Sequence, residues 1–374
     1  MDNLTDILQD CNLNFLIGSG LSQPFLPTLG NVEQLLSALA ANDTLPPDTS
    51  RLIRTSLYKH YFDSVIKSNS QILTNGPAQA TAMAEYQTFL RTINGVLLRR
   101  KTTILGKEVN LFTTNVDIFL DKALEDLALE YNDGFCGRFL PRFSLSNFKK
   151  SHFKRSAHFD NTSELPAFNL LKLHGSLSWA IPDGEVVFSR DLSHIQKVAD
   201  IAVPATELLL VNPSTTLDDL IAAASGKSLG AGGKAFMASY EKELLVVNPT
   251  KDKFHHTLMN QTYYELLRLY SNELEKENTV LFVMGFSYAD EHIREITLRA
   301  ANSNPTLVVY IIAHTGTSAV AIKARLAPAI NNNVRVIGPK RDDQGADLFP
   351  YDLAHINSEL FGPALAKIST GLRS

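Results

Sequence analysis

Thr279–Ile312 reads TVLFVMGFSYADEHIREITLRAANSNPTLVVYII. Its first six residues, Thr279–Met284, are an almost unbroken apolar run that stops at Gly285, the mark of a strand buried on both faces. A polar stretch follows, and Asp290–Ala301 carries apolar residues at helical spacing. Leu307–Ile312 repeats the strand signal. The alternation continues with a helix near Ser318–Leu326, a strand at Val334–Ile337 and a C-terminal helix. Strands separated by helices in this way predict an α/β fold with a doubly wound, mostly parallel sheet. Ligands of such sheets sit outside the carboxyl ends of the strands.

Working back to the N-terminus, Leu13–Ile17 is a short apolar run ending at Gly18-Ser19-Gly20, a strand entering a glycine turn. A polar loop leads to Gly30. From Asn31 to about Arg100 the pattern is helical, which predicts a helical module inserted over residues 31–105. Val109–Thr113 reads as a second core strand. The apolar residues Val116, Phe119, Leu120, Ala123, Leu124 and Leu127 then mark a helix with Asn115 in the N-cap position. Asn169–Leu173 is a further strand, ending at His174. Residues 136–240 form a variable insertion around it. Two similar runs follow, Leu208–Ser214 (LLLVNPS) and Leu244–Thr250 (LLVVNPT). The Gly/Ala/Ser/Lys stretch AAASGKSLGAGGKAF between them predicts a mobile loop. A long helix is expected over about His256–Glu275. The whole chain, 1–374, is expected to form one domain.

Composition narrows the function classes. Net charge is −4 over 374 residues, which argues against a surface built mainly to hold nucleic acid. The two cysteines, Cys11 and Cys136, are too few for a four-cysteine zinc site, and no metal is expected. Nothing in them suggests an oxidising compartment. The start MDNLTDILQD is acidic, and no apolar run approaches the roughly 20 residues that span a membrane. A cytoplasmic protein without membrane contact is expected.

Four polar clusters fall at predicted strand ends. Gly18, Ser19, Gly20 and Ser22 form a turn in which glycines let backbone approach a pyrophosphate and a serine can donate to it. Gln23 stands where the dinucleotide fingerprint would need its third glycine, so a tight turn without a ligand is the competing reading. Thr113-Thr114-Asn115-Val116-Asp117 either caps a helix or uses Asn115 to orient a water or ribose hydroxyl, with Asp117 holding the ribose. His174, followed by Gly175, ends a strand with room for a ligand, although a lone histidine is more often structural. Gly285-Phe286-Ser287 opens another phosphate- or ribose-binding turn. Asp290 and His292 behind it read first as helix-terminal residues, Asp290 as an N-cap.

In order and spacing, GSGLS, TTNVD, KLHGS and GFS resemble the motifs of the sirtuin superfamily. The longer signatures LFTTNVDIFLDKAL, LLKLHGSLSW and MGFSYADEHI resemble the bacterial sirtuin-like proteins of antiphage defence, in particular the subunit that works with a HerA-type hexameric ATPase. The matched segments lie between residues 13 and about 312, with little in 31–100 or 136–240. The resemblance implies a Rossmann-like, sirtuin-like sheet without the zinc module of protein deacetylases. It implies NAD+ as substrate and cleavage of the nicotinamide–ribose bond to nicotinamide and ADP-ribose. Asn115 and His174 would be catalytic. Gly18, Ser19, Gly20, Ser22, Thr113, Asp117, Gly285, Phe286 and Ser287 would bind the dinucleotide, with Asp117 and Ser287 on the riboses. A HerA-type ATPase and copies of the same chain are the implied partners.

Nicotinamide leaves neutral from a cationic ring, through a transition state of oxocarbenium character like that of glycoside cleavage. Asn115 would position the water and His174 act as general base. Two other classes stay open: an NAD-binding sensor or assembly subunit, and a nucleic-acid-acting subunit. For the latter, Arg138–His158 (RFLPRFSLSNFKKSHFKRSAH) mixes basic and aromatic residues that could follow a DNA backbone, against the plainer reading of a solvated loop or subunit contact.

Overall fold

The computed structural model describes residues 3–27, 31–74, 76–101, 104–182, 184–246, 257–326 and 331–371. Its centre is a seven-stranded, all-parallel sheet. The strands are β1 (Asn12–Ile17), β2 (Glu108–Thr113), β3 (Glu130–Asn132), β4 (Ala167–Lys172), β5 (Thr279–Met284), β6 (Val308–Ile312) and β7 (Val334–Ile337). Their spatial order is β7-β6-β5-β1-β2-β4-β3. From β1 the chain lays β2 beside it, then the edge strand β3, then β4 between those two, and returns to lay β5, β6 and β7 on the other side. This is the Rossmann-like α/β arrangement, and its switch point lies between β1 and β5.

The strands are apolar throughout because both faces are covered. Leu13, Phe15, Ile17, Leu111, Phe168, Leu170, Phe282 and Tyr310 point into one core, while Leu16, Phe112, Leu171, Leu281, Val283, Val309 and Ile311 point into the other. Between β1 and β2 the described chain is helical, with Val32–Ala40, Pro47–Tyr61, Asn69–Leu73 and Pro77–Leu98 packed into the first core. The C-terminal segment Leu353–Thr370 joins them there. Helices Thr257–Leu274, Glu291–Ser303 and Gly316–Arg325 cover the second face.

Four asparagines cross the second face at one level: Asn132 on β3, Asn169 on β4, Asn110 on β2 and Asn14 on β1, each opposite the next in register. Their amides bond in one direction. Asn132 Nδ2 donates to Asn169 Oδ1 (3.0 Å), Asn169 Nδ2 to Asn110 Oδ1 (3.0 Å), Asn110 Nδ2 to Asn14 Oδ1 (2.8 Å), and Asn14 Nδ2 to the Val280 carbonyl (3.4 Å). Burying these amides would be costly without partners, and the ladder supplies them from its own members.

Two expectations are corrected. The stretch 222–236 is not a loop throughout: it is built into helices Leu217–Ala224 and Ala231–Glu243. Thr216 and Asp219 form a capping box for the first. Phe236 and Tyr240, one turn apart, anchor the second against Phe62. The small residues that suggest a loop here permit close packing, with Gly233 against Leu229. Secondly, Asn115 is not an N-cap. The helix begins four residues later, at Phe119, whose amide donates to Asp117 Oδ1 (3.2 Å). Of the run 244–250, residues 247–250 lie outside the described residues.

The turn after β3 makes a pH-dependent prediction. Burial pushes the Asp133 carboxyl up from 3.8 to about 6, against the opposing hydrogen bond from the Phe135 amide. A carboxyl raised in the folded state favours folding most below its unfolded value, and that benefit is lost as pH rises through about 6. Asp133→Asn keeps an acceptor and removes the charge. It is expected to stabilise the protein by about 1–2 kcal/mol near pH 8 and by nothing near pH 4. Urea midpoints at the two pH values measure this, and an equal effect at both contradicts it.

Candidate functional site

The loops after β1 and β5 meet backbone to backbone at the switch point. Gly18 N donates to the Met284 carbonyl (2.9 Å) and Gly20 N to the Gly285 carbonyl (3.0 Å). A Cβ on Gly18 would stand 2.4 Å from the Gly285 oxygen, and one on Gly20 3.0 Å from it. Gly285 itself has φ +64°, where a side chain is strained. Beyond this contact the chain diverges, from β1 to helices on the first face and from β5 to Glu291–Ser303 on the second. A crevice of this kind is where doubly wound sheets take ligands.

Ser22 is the hub behind the first loop. Its hydroxyl donates to Asp117 Oδ2 (2.7 Å), accepts from Asn115 Nδ2 (3.2 Å) and bonds the Tyr86 hydroxyl (3.0 Å). Asp117 is filled from both sides, with Oδ2 taking Ser22 and Oδ1 taking the Phe119 amide. Thr113 Oγ1 donates to the Ile17 carbonyl (2.9 Å) and accepts from the Asn115 amide (3.0 Å). Ser22, Thr113 and Asp117 are thus committed inside the protein. Their bonds hold Asn115 in place. Asn115 differs from them. Its Nδ2 is bonded, but its Oδ1 is buried without a hydrogen-bond partner among the described residues.

Lys172, the last residue of β4, is 3% exposed and anchors this cluster from beneath. Its Nζ donates to the Asp117 carbonyl and pairs with Asp121 Oδ2 at 2.7 Å. Burial pushes the Asp117 carboxyl above the usual carboxylate range, and Lys172 pulls it back. Two inserted helices finish the support: Tyr86 on Ser22, and Asn69, whose Oδ1 accepts from Ile118 N (3.2 Å).

His174 and Asn115 leave adjacent strands at matched positions, each two residues beyond the paired Thr113 and Lys172. Gly175 turns the chain with φ +75°, and a Cβ there would meet the Leu245 carbonyl at 2.2 Å. Asp290 caps Glu291–Ser303 through Oδ1, which accepts from Ile293 N (3.1 Å). Its Oδ2 lies 3.1 Å from His174 Nε2. Ser19 and Ser287 are exposed, Phe286 is half-buried, and His292 is exposed. The Ser287 carbonyl accepts from Arg325 (2.8 Å).

Sequence reasoning missed Lys172, Asn69 and Tyr86. Only Lys172 left a signal, a cation inside the apolar run LLKLHG. The stretch Arg138–His158 includes one strand of an exposed hairpin, His152–Arg155 paired with Thr162–Leu165, and Phe153 and Phe159 are solvent-facing. Several of its cations are already matched: Arg142 with Glu185, Lys149 with Glu273 and Arg155 with Asp160. No helix among the described residues is long and apolar enough to cross a membrane. No protein-family model matches the chain, and no curated protein matches it.

Proposed function

We propose that this chain is a sirtuin-like NAD+ hydrolase that takes the dinucleotide across the β1/β5 crevice and cleaves its nicotinamide–ribose bond. The observation that carries this reading is the Asn115 Oδ1, a buried acceptor left open at the carboxyl end of β2 although the residue's own backbone N–H and Nδ2 are bonded. Such an orphan costs about 1–3 kcal/mol, a cost that a bound water or hydroxyl would remove. The residues fit a dinucleotide in two further respects. The Gly18–Gly20 turn brings bare backbone to the crevice, and Ser19 at its rim is exposed. Phe286 and Ser287 follow Gly285 on the second loop.

In this reading Asn115 Oδ1 accepts a hydrogen bond from the attacking water and fixes its approach to the anomeric carbon. His174 takes the proton that the water gives up as its oxygen bonds to that carbon. The C–N bond breaks with its electron pair on nicotinamide, and the products are nicotinamide, ADP-ribose and a proton. Ser22, Asp117, Thr113 and Lys172 hold Asn115 in position. The setting, NAD+ depletion in antiphage defence beside a HerA-type ATPase, rests on the motif resemblance alone.

The test is nicotinamide release from NAD+, followed by chromatography with the chain alone and co-expressed with a HerA-type ATPase. Asn115→Ala and His174→Ala are each expected to lower release by roughly a hundredfold or more with unchanged melting. Release persisting in the double variant would defeat the assignment. NAD+ bound but never cleaved by the parent protein would favour the sensor reading.

A further inference from the structure

A cavity of about 410 Å³ lies between the helix Pro77–Leu98 and the C-terminal segment Leu353–Thr370. That is within the roughly 300–1,000 Å³ typical of small-molecule sites. Glu85, Thr88 and Thr92 line it from the helix, at a spacing that puts all three on one face. His355, Asn357 and Ser358 line it from the other wall, where the chain makes a π-helical turn over Asn357–Phe361. Such turns are rare and recur at functional sites.

The hydroxyl and amide protons of this wall are all spent within the protein. Thr88 Oγ1 donates to the Ala84 carbonyl (2.8 Å), Thr92 Oγ1 to the Thr88 carbonyl (2.9 Å) and Ser358 Oγ to the His355 carbonyl (3.4 Å). A hydroxyl has one hydrogen, so each of these oxygens is left with lone pairs only. Asn357 Nδ2 gives both its protons to Glu85, one to the backbone carbonyl (3.0 Å) and one to Oε2 (3.2 Å). Both partners are acceptors, which fixes the amide in this sense. Its Oδ1 is then buried with no hydrogen-bond partner among the described residues. Glu85 adds a half-buried carboxylate, which forms no ion pair among the described residues.

We propose that this cavity is a second binding site, for a small organic cation with an alkylguanidinium or alkylammonium head. A ligand here must bring its own N–H groups, because the wall offers oxygens whose protons are already used. The Glu85 carboxylate selects a positive charge and makes those hydrogen bonds charge-assisted. An anion would meet lone pairs and a like charge. Ala354, also on the wall, gives the alkyl stem an apolar contact. None of the lining residues belongs to the crevice cluster, so this inference stands apart from the hydrolase reading.

The test is titration of the full chain, deuterated and 15N-labelled, with n-butylguanidinium, followed by amide NMR. The neutral n-butylurea keeps the stem and N–H donors and serves as comparison. The cation is expected to shift the resonances of residues 85–92 and 354–362 saturably, and the urea to bind at least about tenfold more weakly. Glu85→Gln removes the charge but keeps an acceptor for Asn357 Nδ2, and is expected to weaken binding about 10- to 100-fold. Thr92→Val matches the side chain in shape and removes one acceptor, for an expected loss of about 3- to 10-fold. Equal binding of urea and cation, parent-like affinity in Glu85→Gln, or no saturable shift in these segments overturns the proposal. The urea comparison uses the parent protein, so it decides the charge requirement even if a variant fails to fold.

Discussion

Gly18→Ala is expected to cost about 4 kcal/mol of stability, and Gly18→Val to leave no folded protein at ordinary temperature. The reason is purely steric. Gly18 has φ −110° and ψ 172°, an extended conformation any residue adopts. What forbids a side chain is the other loop: the new Cβ would lie 2.4 Å from the Gly285 oxygen and 2.8 Å from Phe286 Cα. Both obstacles are backbone and cannot rotate away. Relief would require parting the loops and giving up the bonds from Gly18 to Met284 and from Gly20 to Gly285. A loss of this size is a large fraction of the roughly 5–15 kcal/mol by which domains are stable. Gly338→Ala is the control, because its Cβ would meet nothing nearer than 3.6 Å. Urea midpoints of the two variants give the answer, and a Gly18→Ala midpoint equal to that of the control would refute the steric account.

Lys172→Met is expected to cost about 3–5 kcal/mol. The substitution leaves Asp121, the Asp117 carbonyl and the Asp117 carboxyl without their cation. Methionine fills most of the volume, so the loss is electrostatic and not a cavity. Two checks follow. Removing the second charge as well, in Lys172→Met with Asp121→Leu, should recover part of the loss, a coupling that a double-mutant cycle measures. The penalty should also shrink in acid. Asp117 already sits above its unfolded value, and loss of Lys172 raises it further, so the variant's folded state takes up a proton as pH falls and sheds the unpaired charge. A penalty independent of pH and unrelieved by the second substitution would mean that Lys172 acts through packing.

How much was legible in the sequence depended on whether a signal was local. Thr279–Met284 and Val334–Ile337 are strands over those same residues, because an apolar run bounded by glycine or polar residues is complete in itself. The edge strand Glu130–Asn132 gave no such run, since three residues with one buried side chain lack a period. Two helices in the Ala- and Gly-rich stretch 217–243 were hidden by the same small residues that let them pack. At the site, the motifs could be placed at strand ends, and Asn115 and His174 do leave β2 and β4 together. Which polar groups are spent internally could not be read. Ser22 is committed through Tyr86 and Asp117, 64 and 95 residues away, and no local pattern links such partners.

The asparagine ladder has a consequence for inheritance. Within the row each inner member gives one amide bond and receives another, so a single change to an apolar residue takes an acceptor from one neighbour and a donor from the other. Replacing the whole row with apolar residues would strand far fewer. Positions 14, 110, 132 and 169 therefore form a ratchet: they are easily kept, hard to leave one at a time, and expected to be lost as a block. Descendants of this chain should carry either all four asparagines or a dry row of aliphatic residues, with few intermediates between.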